Sequence, residues 1–180
     1  MESLKDFTIK FIDIIIGIVL GFGFQSWANI TETWQYVAFF FAYLTVVDYW
    51  IDYIPTVRKF PPKSEIDLLG DIAILFLMFL LIYATQFTVT YFLIVYAIFR
   101  IVDDLWMTHI RYQYQLSNRD KLFFNTWFIF GSIECLVAIL LVVLISIFHF
   151  APLMIFAIFV IFRIIMRVLG SLRYKSFNFS

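Results

Sequence analysis

Apolar residues in this chain form six long runs separated by short polar segments. The runs cover about residues 11–28, 34–55, 68–86, 88–106, 124–147 and 152–170. A helix needs about 20 mostly apolar residues to cross roughly 30 Å of hydrocarbon, and each run is close to that length. The pattern therefore predicts an all-α, polytopic membrane protein with six transmembrane helices in one domain over residues 1–180.

The division between the third and fourth runs has no glycine or proline to mark it. Residues 68–106 are almost continuously apolar, and a single helix over this range would be about twice as long as a bilayer is thick. We therefore predict a turn at Gln86–Val89.

Basic residues lie in alternate segments between the runs. One set of segments carries the basic residues Lys5, Lys10, Arg58, Lys59, Lys63, Arg111, Arg119, Lys121, Arg173 and Lys175, whereas the segments near 29–33, 86–89 and 149–151 carry none. Cytoplasmic loops of membrane proteins are enriched in Lys and Arg. The distribution predicts that both termini are cytoplasmic.

Composition agrees with a membrane protein and excludes several other classes. Hydrophobic residues make up 63% of the chain and charged residues 14%, with zero formal net charge. The single cysteine, Cys135, excludes a disulfide framework and a CxxC metal or redox motif. We therefore expect the lipid bilayer as a partner, and neither nucleic acid nor a cofactor.

The segment Phe11–Gln25 is unusual because it places a carboxylate and three glycines in an apolar helix. Asp13 lies at its predicted start, and Gly17 and Gly21 have the GxxxG spacing that lets another helix approach closely. This face is a candidate helix-packing surface or pore-lining surface.

Acidic residues in the predicted spans form a second candidate feature. On the predicted topology an inner acidic belt lies toward the cytoplasmic ends of the helices, and it includes Asp48, Asp71, Asp103 and Asp104. Asp13 and Asp71 are expected at helix N-termini, where the helix dipole favours an anion, and the others near C-termini. The belt is interpreted either as structural ion pairs or as a vestibule that concentrates cations.

Glu134 is predicted near the middle of the bilayer. A carboxylate at that depth either pairs with a cation or is protonated because it is desolvated. We favour an ion pair with Arg100 or Arg163 at similar depth over a proton relay.

Catalytic chemistry is not indicated. His109 and His149 are predicted on opposite sides of the membrane, so they do not form a metal site. No nucleophile, acid–base pair or metal set converges at one depth. We expect that the protein is not an enzyme and binds no structural metal.

Two short motifs resemble those of a known family. Phe11-Ile12-Asp13, followed by three apolar residues and Gly17-Ile18, resembles the FSDxxxAI signature of the endolysosomal potassium channel, transmembrane protein 175, and of its six-helix prokaryotic relatives. The segment Tyr49-Trp50-Ile51-Asp52 resembles the YWxN stretch of that family. Ile12 stands where the signature has serine.

The resemblance implies a homotetramer in the cell membrane of a prokaryote, with the first helix lining a central axis. Ile18 would form the constriction, with Phe22 and Gln25 farther along the same face. Phe11, Asp13, Trp50 and Asp52 would belong to a polar network that holds the helices in position.

Three functions follow as hypotheses. The first is an oligomeric channel for monovalent cations, permeable to potassium, with a hydrophobic gate at Ile18. The second is a non-catalytic structural or accessory subunit of a larger membrane complex. The third is a small ion-coupled transporter that uses Glu134 and Asp48.

Overall fold

The computed structural model describes residues 4–174, and the side chains of residues 6–173. Within this range the protein is all-helical, as predicted. Its elements are α1 (Leu4–Gly23), a 3₁₀ turn (Phe24–Asn29), α2 (Thr33–Lys59), α3 (Glu65–Ala84), α4 (Val89–Gln113), α5 (Asn118–Phe148) and α6 (Pro152–Tyr174). The contacts between residues divide the chain into two compact units. The boundary between the units lies between Phe87 and Thr88 in the sequence. The single six-helix domain stays a prediction.

The turn between α3 and α4 lies where the sequence predicted it. Thr85 Oγ1 donates a hydrogen bond to the carbonyl of Ile82 as α3 ends, and Thr88 Oγ1 accepts from the backbone N–H of Tyr91 as α4 begins. A threonine N-cap of this kind satisfies one of the open N–H groups of the first turn. Thr88 therefore serves as the local start signal in a segment without glycine or proline.

The first unit contains α1, α2 and α3. Helix α1 buries Ile12, Ile16 and Val19, which share one face at a spacing of i, i+4 and i+7. A Cβ built on Gly23 would lie 2.9 Å from the Cδ1 of Ile82 on α3. The absence of a side chain at Gly23 therefore allows α1 and α3 to approach closely.

The second unit contains α4, α5 and α6. Rings of α4 and α6 pack edge to face, with centroids 5.1 Å apart for Phe92 and Phe156 and 4.8 Å apart for Tyr96 and Phe159. All four side chains are fully buried. Edge-to-face aromatic pairs add about 0.5–1.5 kcal/mol beyond the area they bury, so these pairs tie α4 to α6.

Five helical segments in the described part of the chain are long and apolar enough to cross a membrane. They are Asp6–Asn29, Thr33–Lys59, Glu65–Ala84, Asn118–Phe148 and Pro152–Arg173. Helix α4 is long enough, but Arg100, Asp103 and Asp104 interrupt its apolar sequence. The helices are thus those of an integral, multi-pass membrane protein. Helix α4 differs from the other five in carrying three charged residues within its apolar sequence.

Several helices extend beyond the predicted runs, which corrects the expected positions of the acidic residues. Because α1 begins at Leu4 and α3 at Glu65, Asp13 and Asp71 lie inside their helices, and the helix dipole does not explain them. Helices α2 and α4 continue to Lys59 and Gln113. Asp48 and Asp103 are therefore well removed from the C-termini where we expected them.

Candidate functional site

One face of α1 is open from Ile14 to Phe22. Gly17, Ile18, Gly21 and Phe22 are exposed, and a Cβ built on either glycine would meet no atom within 4 Å. Together with Ile14 and Gln25 they line a shallow groove of about 410 Å³. The two glycines form the floor of the groove, with the larger side chains beside them.

Gln25 differs from its predicted geometry. It lies in the 3₁₀ turn that follows α1, whereas the sequence placed it on the face of the first helix itself. The side chain nevertheless lines the same groove as these two residues. The structure thus brings the predicted gate residues onto one continuous surface, with an amide at one end.

The predicted polar network is formed only in part. Trp50 Nε1 on α2 donates a hydrogen bond of 2.9 Å to Asp13 Oδ1 on α1, and both residues are exposed. Asp52 is buried on another side of α2. Phe11 stacks on Phe7 of its own helix, with ring centroids 5.9 Å apart. The structure therefore joins Asp13 to Trp50 within this predicted network.

The four residues of the predicted acidic belt belong to two different units. Asp48 lies half-buried on α2, and Asp71 lies buried on α3. Asp103 and Asp104 lie on α4 and contact residues of α5. These last two belong to the surroundings of Glu134, which were predicted as a separate feature.

A buried ion cluster surrounds Glu134 in the second unit. Its Oε2 atom lies 3.4 Å from the Nε of Arg100 on α4 and 3.2 Å from the Nε of Arg163 on α6. The hydroxyl of Tyr96 donates to the same oxygen at 2.7 Å, and Arg163 Nε donates to that hydroxyl at 3.0 Å. The structure thus brings both predicted cationic partners to one carboxylate.

The cluster continues along α4. Nη1 of Arg100 donates to Oδ2 of Asp103 at 2.7 Å, and Trp127 Nε1 on α5 donates to the same oxygen at 3.0 Å. Asp104 accepts a hydrogen bond of 3.0 Å from the hydroxyl of Ser132 on α5. Buried charges are stable only where opposite charges and hydrogen bonds compensate for lost hydration, and most of these contacts supply that compensation.

Gly131 leaves the space that this arrangement needs. A Cβ built at this position would overlap the guanidinium of Arg100 and lie 2.7 Å from Oδ1 of Asp104. The guanidinium is held by Asp103 and Glu134 and has little freedom to move away. Gly131 therefore determines how closely α4 approaches α5 at the cluster.

We expect Gly131→Ala to lower the free energy of unfolding by about 1–3 kcal/mol, the usual cost of overpacking. Thermal unfolding in detergent micelles would measure it. Ala73→Val on α3 is the control, because it also adds side-chain volume to a helix but at an exposed position outside the groove of α1. Equal stability of the two variants would show that the guanidinium moves aside without cost.

Four residues of the cluster were not predicted from the sequence: Tyr96, Trp127, Gly131 and Ser132. Tyr96 precedes Arg100 by four residues, so it shares a face of α4 with this arginine. The α5 residues give no such signal, because their partners depend on how α5 is rotated and shifted against α4. Only the packed structure supplies that register.

Within the described part of the chain, no group of three or more His, Cys, Asp or Glu side chains is placed to hold a metal ion. The carboxylates of the ion cluster are instead held by arginine, tyrosine, tryptophan and serine donors. The cluster therefore has the contacts of a charge-paired packing element.

Comparisons with protein families, with curated proteins and with solved structures found no match. The resemblance of the two short motifs to the endolysosomal potassium channel family thus stays a prediction. The class that the helices support is the integral, multi-pass membrane proteins.

Proposed function

We propose that this protein is an oligomeric channel for monovalent cations, permeable to potassium, in which copies of the chain surround an axis lined by α1. The observation that carries the proposal is the open face of α1. Ile18 forms a hydrophobic constriction on this face, and such constrictions gate by losing their water. The resemblance of the Phe11–Ile18 motif to a potassium channel family supports the choice of ion.

The composition of the groove favours a partner helix over lipid at this surface. Gly17 and Gly21 present backbone without side chains, and small residues of this kind occur where membrane helices pack closely. Gln25 places an amide on the same surface. A polar side chain in contact with hydrocarbon is costly, whereas a helix interface or a hydrated pore provides hydrogen-bond partners for it.

The proposal includes six membrane spans with both termini in the cytoplasm. Helix α4 is the sixth span. Its Arg100 and Asp103 are buried and bind Glu134 and Trp127 of α5, so these polar groups do not contact lipid. Exposed basic residues at the α2–α3 and α4–α5 connections agree with the positive-inside rule; they are Arg58, Lys59, Lys63, Arg111, Arg119 and Lys121.

The first test is the oligomeric state. We expect native mass spectrometry in detergent to find a homotetramer for the wild-type chain and smaller species for Gly21→Leu, because leucine fills the groove that the neighbouring helix occupies. Glycine costs about 1 kcal/mol more than alanine in a helix, so the leucine variant retains a stable α1.

Ala73→Leu on α3 is the matched control, since Ala73 is also a small, exposed residue of a predicted span. It is expected to remain tetrameric. A monomeric wild-type chain, or one that purifies only with stoichiometric foreign subunits, would contradict the channel. That result would favour an accessory subunit of a larger membrane complex.

A further inference from the structure

The charges in the buried ion cluster do not balance. Arg100 and Arg163 are positive, whereas Asp103, Asp104 and Glu134 carry three carboxyl groups. With every carboxyl ionised, one negative charge is in excess. Glu134 lies near the middle of α5, a helix long and apolar enough to cross a membrane. An uncompensated charge at such a position is strongly unfavourable.

The three carboxyl groups differ in how well they are compensated. Glu134 has two arginines and a tyrosine hydroxyl at Oε2. Asp103 has Arg100 and the Trp127 N–H at Oδ2. For Asp104 the structure shows the hydroxyl of Ser132 at Oδ2 and, among the described residues, no cation within ion-pair distance.

The second carboxyl oxygens of the two aspartates lack partners in the part of the chain that the structure describes. Oδ1 of Asp103 and Oδ1 of Asp104 are both buried and have no hydrogen-bond partner among the described residues. Asp103 itself is completely buried. Buried polar atoms without partners are rare in native proteins, and each one requires an explanation such as a bound water or ion.

We propose that the Asp103–Asp104 pair binds one proton, which is held mainly by Asp104. The proton makes the cluster neutral, with two arginines facing two carboxylates and one carboxylic acid. Two neighbouring carboxyl groups commonly titrate as a pair in which only one is ionised. A protonated Asp104 still accepts the hydrogen bond from Ser132.

Charged and polar groups surround Asp104 on all three helices. Arg100 and Asp103 face it from α4, and Ser132, Glu134 and Cys135 face it from α5. Arg163 of α6 lies one carboxylate away, on Glu134. Both arginines are thus already bound to other carboxylates. A metal ion is the less suitable counter-charge, because the described residues provide no group of three or more metal-binding side chains.

Infrared difference spectroscopy tests the proposal directly, since a carboxylic acid and a carboxylate absorb at different frequencies. The full-length wild-type chain and Asp104→Asn are compared in lipid vesicles at neutral pH, in H₂O and in D₂O. We expect the difference spectrum to contain one carboxylic acid band that shifts in D₂O. Asp6→Asn is the control, because the exposed Asp6 is expected to lose only carboxylate absorption.

A second variant assigns the band. Ser132→Ala is expected to keep the acid band and to shift it, because the hydrogen bond to Asp104 is lost. Loss of carboxylate absorption in Asp104→Asn would overturn the proposal and would indicate that a cation balances the charge. Failure of Asp104→Asn to fold would overturn it too, because asparagine closely matches a protonated aspartic acid in shape and charge. None of these outcomes depends on channel activity.

Discussion

Replacing Ile18 by asparagine is expected to raise the potassium leak of reconstituted protein on the order of tenfold. In the proposed assembly the Ile18 side chains of neighbouring copies form an apolar ring that excludes water. An amide in that ring stabilises water and lowers the barrier for a hydrated ion. A barrier lower by about 1.36 kcal/mol corresponds to a tenfold higher rate. Potassium flux from loaded liposomes, compared with sodium flux, would measure the change.

The matched control is Ile139→Asn on α5. Ile139 and Ile18 are both 45% exposed and both lie inside predicted membrane helices, so the cost of placing an amide there is similar. The control belongs to the second unit, outside the groove of α1, and is expected to leave the flux unchanged. Equal flux for the wild-type chain and Ile18→Asn would remove Ile18 from the gate.

The helices of this protein were predictable because their signal is local. Each long apolar run became a helix. Pro61, Pro62 and Pro152 lie outside helices or at a helix start, where the fixed φ angle of proline is tolerated, whereas Pro55 lies inside α2. The exact ends were not predicted. Once a helix leaves the hydrocarbon layer of the membrane, polar residues can extend it at no cost. The end of an apolar run therefore does not mark the end of the helix.

The α1 face was also predictable in large part, because residues spaced by three or four positions share one side of a helix. Ile18, Gly21 and Phe22 therefore had to lie together once α1 was recognised. The hydrogen bond between Asp13 and Trp50 could not be predicted from helix geometry alone. It depends on contact between α1 and α2, and the sequence suggested it only through the family resemblance.

The ion cluster shows where sequence reasoning stops. An arginine partner for Glu134 follows from the cost of a lone buried charge. The presence of Asp103 and Asp104 in the same cluster could not be predicted in this way, because it depends on the register between α4 and α5. The expected acidic belt treated these aspartates as neighbours of Asp48 and Asp71, whereas their hydrogen bonds are to Trp127 and Ser132.

Replacing Glu134 by glutamine is expected to lower the free energy of unfolding by about 3–5 kcal/mol, the cost of leaving a buried charge without its partner. Glutamine has nearly the same shape and still accepts the hydrogen bond from Tyr96. The loss therefore reports the charge that compensates Arg100 and Arg163, which lie 3.4 and 3.2 Å from Oε2. Reversible unfolding in mixed detergent micelles would measure it.

Glu65→Gln is the control for the same chemical change at an exposed position of α3, and it is expected to alter stability by no more than about 0.5 kcal/mol. The double variant Glu134→Gln with Arg163→Gln separates the charge effect from packing. Removing one cation together with the carboxylate restores part of the balance, so the double variant is expected to be more stable than the sum of the two single losses predicts.

A Glu134→Gln chain with wild-type stability would mean that the charge of Glu134 is not needed to compensate the arginines, because the glutamate is already protonated or because Asp104 releases its proposed proton in the variant. Combined with loss of a pH-dependent ion uptake, that result would assign Glu134 to proton coupling and favour a transporter over a channel. The contacts argue for the opposite outcome. Two guanidinium groups and a phenol hydroxyl contact the Glu134 carboxyl group, and a buried carboxylate compensated in this way holds its helices together rather than serving ion transport.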